Sequence, residues 1–191
     1  MANKKKEIIE AAIVRISEQG DSFSTSQIAD DVGCSQSLLF RYYRTKEGLM
    51  LACFDEVCHE LMSVLKGVEL PAVPDVDRLN RYAIQVWRAY CGYLGSNSRK
   101  AQAYLFFVSR GIRFPRGYRS GGDVLRRMLG DAYEPIVKVY PDFLFIAEYI
   151  IMFSYAAATG HFIVQDMDSE EIIGKLEKVL MYGICGYGKG E

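Results

Sequence analysis

Between Thr25 and Lys46 the 191-residue chain carries a run of short, flat and basic side chains: Gln36, Ser37, Leu38, Phe40, Arg41 and Tyr42. Gln36 can make paired hydrogen bonds to a base edge, most simply adenine, and Leu38 offers an apolar contact to a thymine methyl. Arg41 reaches phosphate or a guanine edge, while Tyr42 and Lys46 are placed to hold a sugar–phosphate backbone. Thr25, Ser26 and the amides of the helix they open can take a further phosphate, aided by the helix dipole. Bond-making chemistry has little to work with. No Ser-His-Asp set, H-E-x-x-H or glycine-rich phosphate loop appears, and the histidines are His59 and His161 alone, so no catalytic residue, cofactor or metal is expected.

Short helices must position these side chains. Ile8, Ile9, Ala12 and Ile16 share one face of a first helix closed by Gly20. Ser24 opens a second, with Gln27 three residues on in capping-box spacing; Ile28, Ala29 and Val32 form its apolar face and Gly33 ends it. Ser35 caps a third helix running to about Tyr43. Leu39 and Tyr43 lie one turn apart and point inward to join Ile28 and Val32. Gln36, Ser37, Leu38 and Arg41 are left facing outward, flanked by Phe40 and Tyr42, with no acid among them. Such a helix-turn-helix suits insertion of the third helix into a major groove.

The rest of the chain is helical in period, with no strand-like alternation. A fourth helix starts near Lys46 with Leu49, Leu51, Phe54, Val57, Leu61 and Leu65, and Gly67 to Asp75 is a break. Long helices are expected at about 75–95, 98–111, 119–139, 142–164 and 168–185, giving an all-α chain of about nine helices. Two domains follow: residues 1–45 and a helical remainder, 46–191.

From Ile8 to Leu51 the chain resembles the N-terminal domain of the TetR family of bacterial transcriptional regulators. The resemblance rests on the first helix ending in glycine, the Ser-capped second helix with Ile28-Ala29, and Val32-Gly33-x-Ser35. Its most diagnostic piece is Leu39-Phe40-x-Tyr42-Tyr43-x-Thr45-Lys46-Glu47, similar to the family's L-Y-x-[HY]-F-x-[SN]-K-E. It implies a homodimer on double-stranded DNA, with the third helix of each subunit in successive major grooves of a pseudo-palindromic operator. By position it puts Gln36, Ser37 and Phe40 at groove-facing sites, and Thr25, Ser26, Arg41, Tyr42 and Lys46 at phosphate-facing ones. There are departures. Serine stands at 26, often basic in the family, and at 37, often glycine; Arg44 replaces a frequent proline; Phe40 lacks the usual tyrosine hydroxyl; and Gln36 replaces a frequent lysine.

The resemblance also implies that residues 46–191 bind a small-molecule effector and form the dimer. Phe143 to Val164 is apolar on nearly every face, Ala156 to Gly160 removes bulk in succession, and Ile172 to Gly183 carries a broad apolar stripe. These last two helices are expected to pair with their mates; a plain internal core is the alternative. Trp87, Tyr90, Tyr104, Phe107 and Tyr149 belong to an aromatic crowd that either fills a core or lines a pocket for a flat or lipidic ligand. Glu148 shares a face with Met152 and needs a partner, whether Arg81, Arg88, the dimer mate or a cationic ligand. The arginines at 110, 113, 116, 119, 126 and 127 read either as a solvated face or as an attraction for an anionic ligand.

Composition narrows the setting. A net charge of −1, with seven basic and seven acidic residues in the first fifty, argues against a strongly basic coat protein and for modest nonspecific DNA affinity. The N-terminus leads into an amphipathic segment unlike a secretory signal, no run suits a membrane span, and five cysteines without a C-x-x-C pair suggest reduced thiols in the cytoplasm. The functional expectation is a ligand-responsive regulator, most often a repressor, and not an enzyme. The alternatives are a helical small-molecule binder or enzyme without DNA function, and a protein–protein adaptor using the arginine-rich segment.

Overall fold

A computed structural model describes residues 2–72, 75–112 and 115–141, together with 174 and 178. Among them the chain is all-helical: α1 (Ala2–Gln19), α2 (Thr25–Val32), α3 (Gln36–Tyr43), α4 (Lys46–Lys66), α5 (Val76–Ser96), α6 (Ser98–Ser109), α7 (Gly121–Leu129) and α8 (Tyr133–Val139). The segments 142–164 and 168–185, which the expected total of nine includes, lie outside the described residues apart from 174 and 178. One expected helix is corrected. The segment 119–139 is two helices, α7 and α8, joined by the 3-10 turn Gly130–Ala132. Gly130 takes φ 54, which a helix cannot continue through, and Pro135 then sits in the first turn of α8 where its missing amide costs nothing.

The chain divides into two compact units, one of residues 1–60 and 97–117, the other of 61–96 and 118–191. In the first, the stripe Ile8, Ile9, Ala12, Ile13 and Ile16 of α1 is buried. The helix stops at Gly20 (φ 62), where any side chain would also press on Phe106: a Cβ there would sit 3.0 Å from the ring. Ser24 caps α2 as expected, accepting from the Gln27 amide at 3.2 Å while the Gln27 carbonyl oxygen accepts from the Ser24 amide at 2.8 Å. Gly33 (φ 63) ends α2 in a Schellman motif: its amide bonds Asp30 O at 3.1 Å and that of Cys34 bonds Ala29 O at 2.9 Å. Val32, expected in the shared core, is only half-buried, because the turn lifts it to the rim.

The α3–α4 junction is unusually tight. Arg44, at φ 64 and ψ −46, is the centre of a γ-turn closed by the Thr45 amide on Tyr43 O at 2.7 Å. Thr45 then caps α4, its hydroxyl accepting from the Gly48 amide at 2.9 Å. Phe54 of α4 stacks on Tyr104 and tilts against Phe107 of α6, with ring centroids 6.0 and 5.2 Å apart. So α6 packs with the N-terminal helices, although the chain reaches it only after α5. In the second unit Leu79, Tyr82, Ala83 and Trp87 of α5 pack with Ile136 of α8 and Tyr140. No helix among the described residues is long and apolar enough to cross a membrane.

Candidate nucleic-acid interface

Helix α3 presents the face its periodicity predicts. Leu39 and Tyr43 are buried, while Gln36, Ser37 and Arg41 are exposed, Leu38 and Tyr42 are half-buried, and Phe40 is 37% exposed. The Tyr43 hydroxyl donates to Lys5 O at 3.0 Å, tying α3 to α1. Its burial raises its pKa, so it stays a neutral donor. Ser35 caps α3 by accepting the Leu38 amide at 3.2 Å. With one side of α3 held by core and cap, the other side carries no acid.

Structure adds a link that spacing could not show. Gln36 Nε2 donates to Thr25 Oγ1 at 2.7 Å, joining the first residue of α3 to the first of α2. Thr25 is buried, so its hydroxyl is a fixed acceptor that orients the Gln36 amide. Ser26 and Ser37 remain exposed, each hydroxyl within 3 Å of a capping serine: Ser24 at 2.8 Å and Ser35 at 2.9 Å. Lys46 lies with its ammonium 4.4 Å over the Phe23 ring and donates to the Asp21 carbonyl, which holds the start of α4 against the α1–α2 turn. Arg41 and Arg44 form no ion pair among the described residues, so both guanidiniums are available. All nine residues expected at a duplex therefore stand on this one unit.

The residues expected around an effector are distributed differently. Trp87 and Tyr90 are buried on α5, in the second unit, whereas Tyr104 and Phe107 face Phe54 in the first. Glu148, Tyr149 and Met152 lie outside the described residues. Two buried polar atoms on α5 have no hydrogen-bond partner among the described residues: Asn80 Oδ1 and Trp87 Nε1. An orphan of this kind costs about 1–3 kcal/mol.

Most of the arginine-rich segment proves to be structural. Arg110 bonds Asp21 at 2.8 Å, Arg116 bonds Asp55 at 2.5 Å, Arg126 bonds Glu134 at 2.6 Å and caps the Tyr133 ring, and Arg127 covers Tyr118. Lys100 adds an ion pair with Glu60 at 2.5 Å. The sequence reading missed the grip that Phe106, Lys100, Arg110 and Arg116 exert on the N-terminal helices; each partner is forty or more residues away, beyond any periodicity. Burial raises the thiols of Cys58 and Cys91 to about 12 and pushes Cys53 higher still, so none is a nucleophile near neutrality. No group of three or more metal-ligating side chains occurs among the described residues.

Residues 8–53 match the family model described as bacterial regulatory proteins, tetR family. Solved structures share the fold over nearly the whole chain. A TetR-like transcriptional regulator from a Rhodococcus species is 19% identical, with 97% of this chain and 98% of that one covered at a TM-score of 0.66. A tetR family transcription regulator from a Shewanella species is 18% identical, covering 93% and 95% at 0.69. One from Haloarcula marismortui is 18% identical, covering 97% and 98% at 0.59. The capped, glycine-turned N-terminal unit thus has a known counterpart: the chain has the fold of these regulators, and its residues 8–53 are similar to the family model of tetR bacterial regulatory proteins.

Proposed function

We propose that this protein is a ligand-responsive transcriptional regulator, acting in the cytoplasm as a homodimer on a pseudo-palindromic DNA operator. It represses, and a small hydrophobic or aromatic effector releases it. The observation that carries this reading is the acid-free outer face of α3, with Phe40 exposed and Gln36 oriented by Thr25, on a unit matched by the family model. Gln36, Ser37, Leu38 and Phe40 meet base edges, while Ser26, Arg41, Tyr42 and Lys46 meet phosphates. Thr25 adds a phosphate contact only through the proton its hydroxyl still has free. The division of labour falls at 45/46: residues 1–45 read DNA, and 46–191 bind effector and form the dimer through the last two helices.

Release follows from differential affinity: the effector favours a state in which the two reading helices no longer match the half-site spacing. Two elements are built to transmit it. α4 leaves the reading helix through the taut Arg44 turn, and α6 holds α1 and α4 through Phe106, Phe107, Arg110–Asp21 and Lys100–Glu60. Selection from random duplexes tests the proposal. An enriched palindrome whose preference changes at particular bases with Gln36→Ala is expected; no enrichment by folded protein overturns it.

A further inference from the structure

Beside the α3–α4 turn the first unit carries a groove of about 650 Å³, walled by α1, the end of α3 and α4, with Arg116. Charges of both signs line it without pairing. Lys5 reaches over the Tyr43 ring at 5.9 Å and, like Arg44, forms no ion pair among the described residues. Lys6 meets Glu10 only loosely, at 3.9 Å on an exposed surface. Glu56 is half-buried and has neither an ion pair nor a hydrogen bond among the described residues, although it lies close enough to Tyr43 to disfavour the phenolate. Its neighbour Asp55 is held by Arg116, whose amide donates at 2.8 Å and whose Nε donates at 2.5 Å. Cations and a half-buried carboxylate facing one space favour an occupant that carries both an anion and hydrogen-bond donors. The floor is flat: Gly48, Ala52 and Glu56 follow at four-residue spacing on one face of α4, spanning about 12 Å. Small side chains at 48 and 52 let a planar ring lie against the helix, with the Tyr42 ring on the same groove.

We propose that this groove binds a guanine mononucleotide, its phosphate among Lys5, Lys6 and Arg44 and the edge of its base on Glu56. Guanine offers two adjacent donors, the ring N1–H and the exocyclic amine, and one carboxylate accepts both in parallel. Adenine and cytosine set an acceptor nitrogen beside their amine, which would face the second carboxylate oxygen. Occupancy also draws Tyr42 and Arg44 away from duplex phosphate, so nucleotide and operator oppose each other. The binding site stands on the groove alone; only this opposition rests on the regulator reading above.

Calorimetric titration of the full-length protein without DNA tests the site, with guanosine 5′-monophosphate, inosine 5′-monophosphate, guanosine and inorganic phosphate as probes. The guanine nucleotide should bind about tenfold more tightly than each of the others, since each lacks a hydrogen bond to a charged group. Glu56→Gln should erase the preference over inosine monophosphate. Lys5→Ala, at an exposed position and so safe for folding, should weaken both nucleotides and leave guanosine unchanged. Inosine monophosphate or phosphate bound as tightly as the guanine nucleotide overturns the proposal, as does no binding by folded protein. Affinities untouched by both variants also overturn it, since the ligand then sits elsewhere. With the selected duplex present, nucleotide and DNA should lower each other's affinity by the same factor; an unchanged operator affinity refutes the opposition. Nucleotide binding without a selected duplex defeats the regulator reading alone, and a selected duplex without nucleotide binding defeats this proposal alone.

Discussion

Gly48→Ala should destabilise the protein, against the normal effect of that substitution in a helix. Alanine ordinarily gains about 1 kcal/mol over glycine in a helix interior. At position 48 the added Cβ would lie 2.2 Å from the Tyr43 carbonyl oxygen, inside the 3.0 Å that real Cβ atoms keep. The obstacle is backbone, and the carbonyl is already committed to the γ-turn by the Thr45 amide at 2.7 Å. Relief requires opening that turn and the Gly48–Thr45 bond of 2.9 Å, two hydrogen bonds worth about 1 kcal/mol each. Displacing packed neighbours adds about 1–3 kcal/mol. After the helix gain is subtracted, a net loss of about 2–4 kcal/mol remains, or a fall in Tm of roughly 4–16 °C. Gly92→Ala is the control. Gly92 lies within α5 with nothing within 4 Å of its Cβ position, so it should gain up to about 1 kcal/mol. Urea and thermal melts of both variants give the stabilities, and affinity for the selected duplex should fall for Gly48→Ala alone, since α3 moves with the turn. A Gly48→Ala protein as stable as Gly92→Ala, with unchanged affinity, would refute the reasoning.

Other substitutions report on separate links. Ser24→Ala and Ser35→Ala should each cost about 1 kcal/mol in chemical denaturation by freeing an amide at a helix start. Thr25→Val removes the acceptor that orients Gln36, so it should blunt discrimination at the base Gln36 reads and leave binding to random duplex nearly unchanged in competition assays. Arg41→Ala and Arg44→Ala should each reduce the slope of log K against log salt by about 0.9 if each guanidinium meets one phosphate. The contribution of the Cys58 and Cys91 thiols to stability should be level below pH 9 and fall as pH rises from the ordinary thiol value of 9.0 toward about 12. Over that window the unfolded chain releases the Cys58 and Cys91 protons that the folded chain retains, as urea midpoints across the range can show.

The path by which the N-terminal unit hangs together was partly visible in advance. Periodicity and cap residues placed the first three helices, and Gly20 and Gly33 marked their ends, because these features act within one or two turns of chain. Phe40 and Arg41 could be assigned outward for the same reason. The segment 119–139 reads as one helix because its apolar spacing continues across Gly130, and only the backbone conformation there reveals the break. The arginines from 110 onward were equally ambiguous, since a cation's neighbours in sequence do not identify the carboxylate it meets.

What the residue order dictated, then, is local: helix limits, caps, the inward stripe of α1, and the acid-free outer face of α3, all governed by forces that reach three or four residues. The folded chain settled matters that depend on distant segments coming together. Gln36 is steered by Thr25, Lys46 leans on Phe23, and Arg110 and Arg116 serve Asp21 and Asp55. The same holds for Trp87 and Asn80, whose lack of a partner among the described residues is a property of the packing around them. Burial and long-range pairing depend on which surfaces meet, and no short stretch of sequence contains both sides of such a contact.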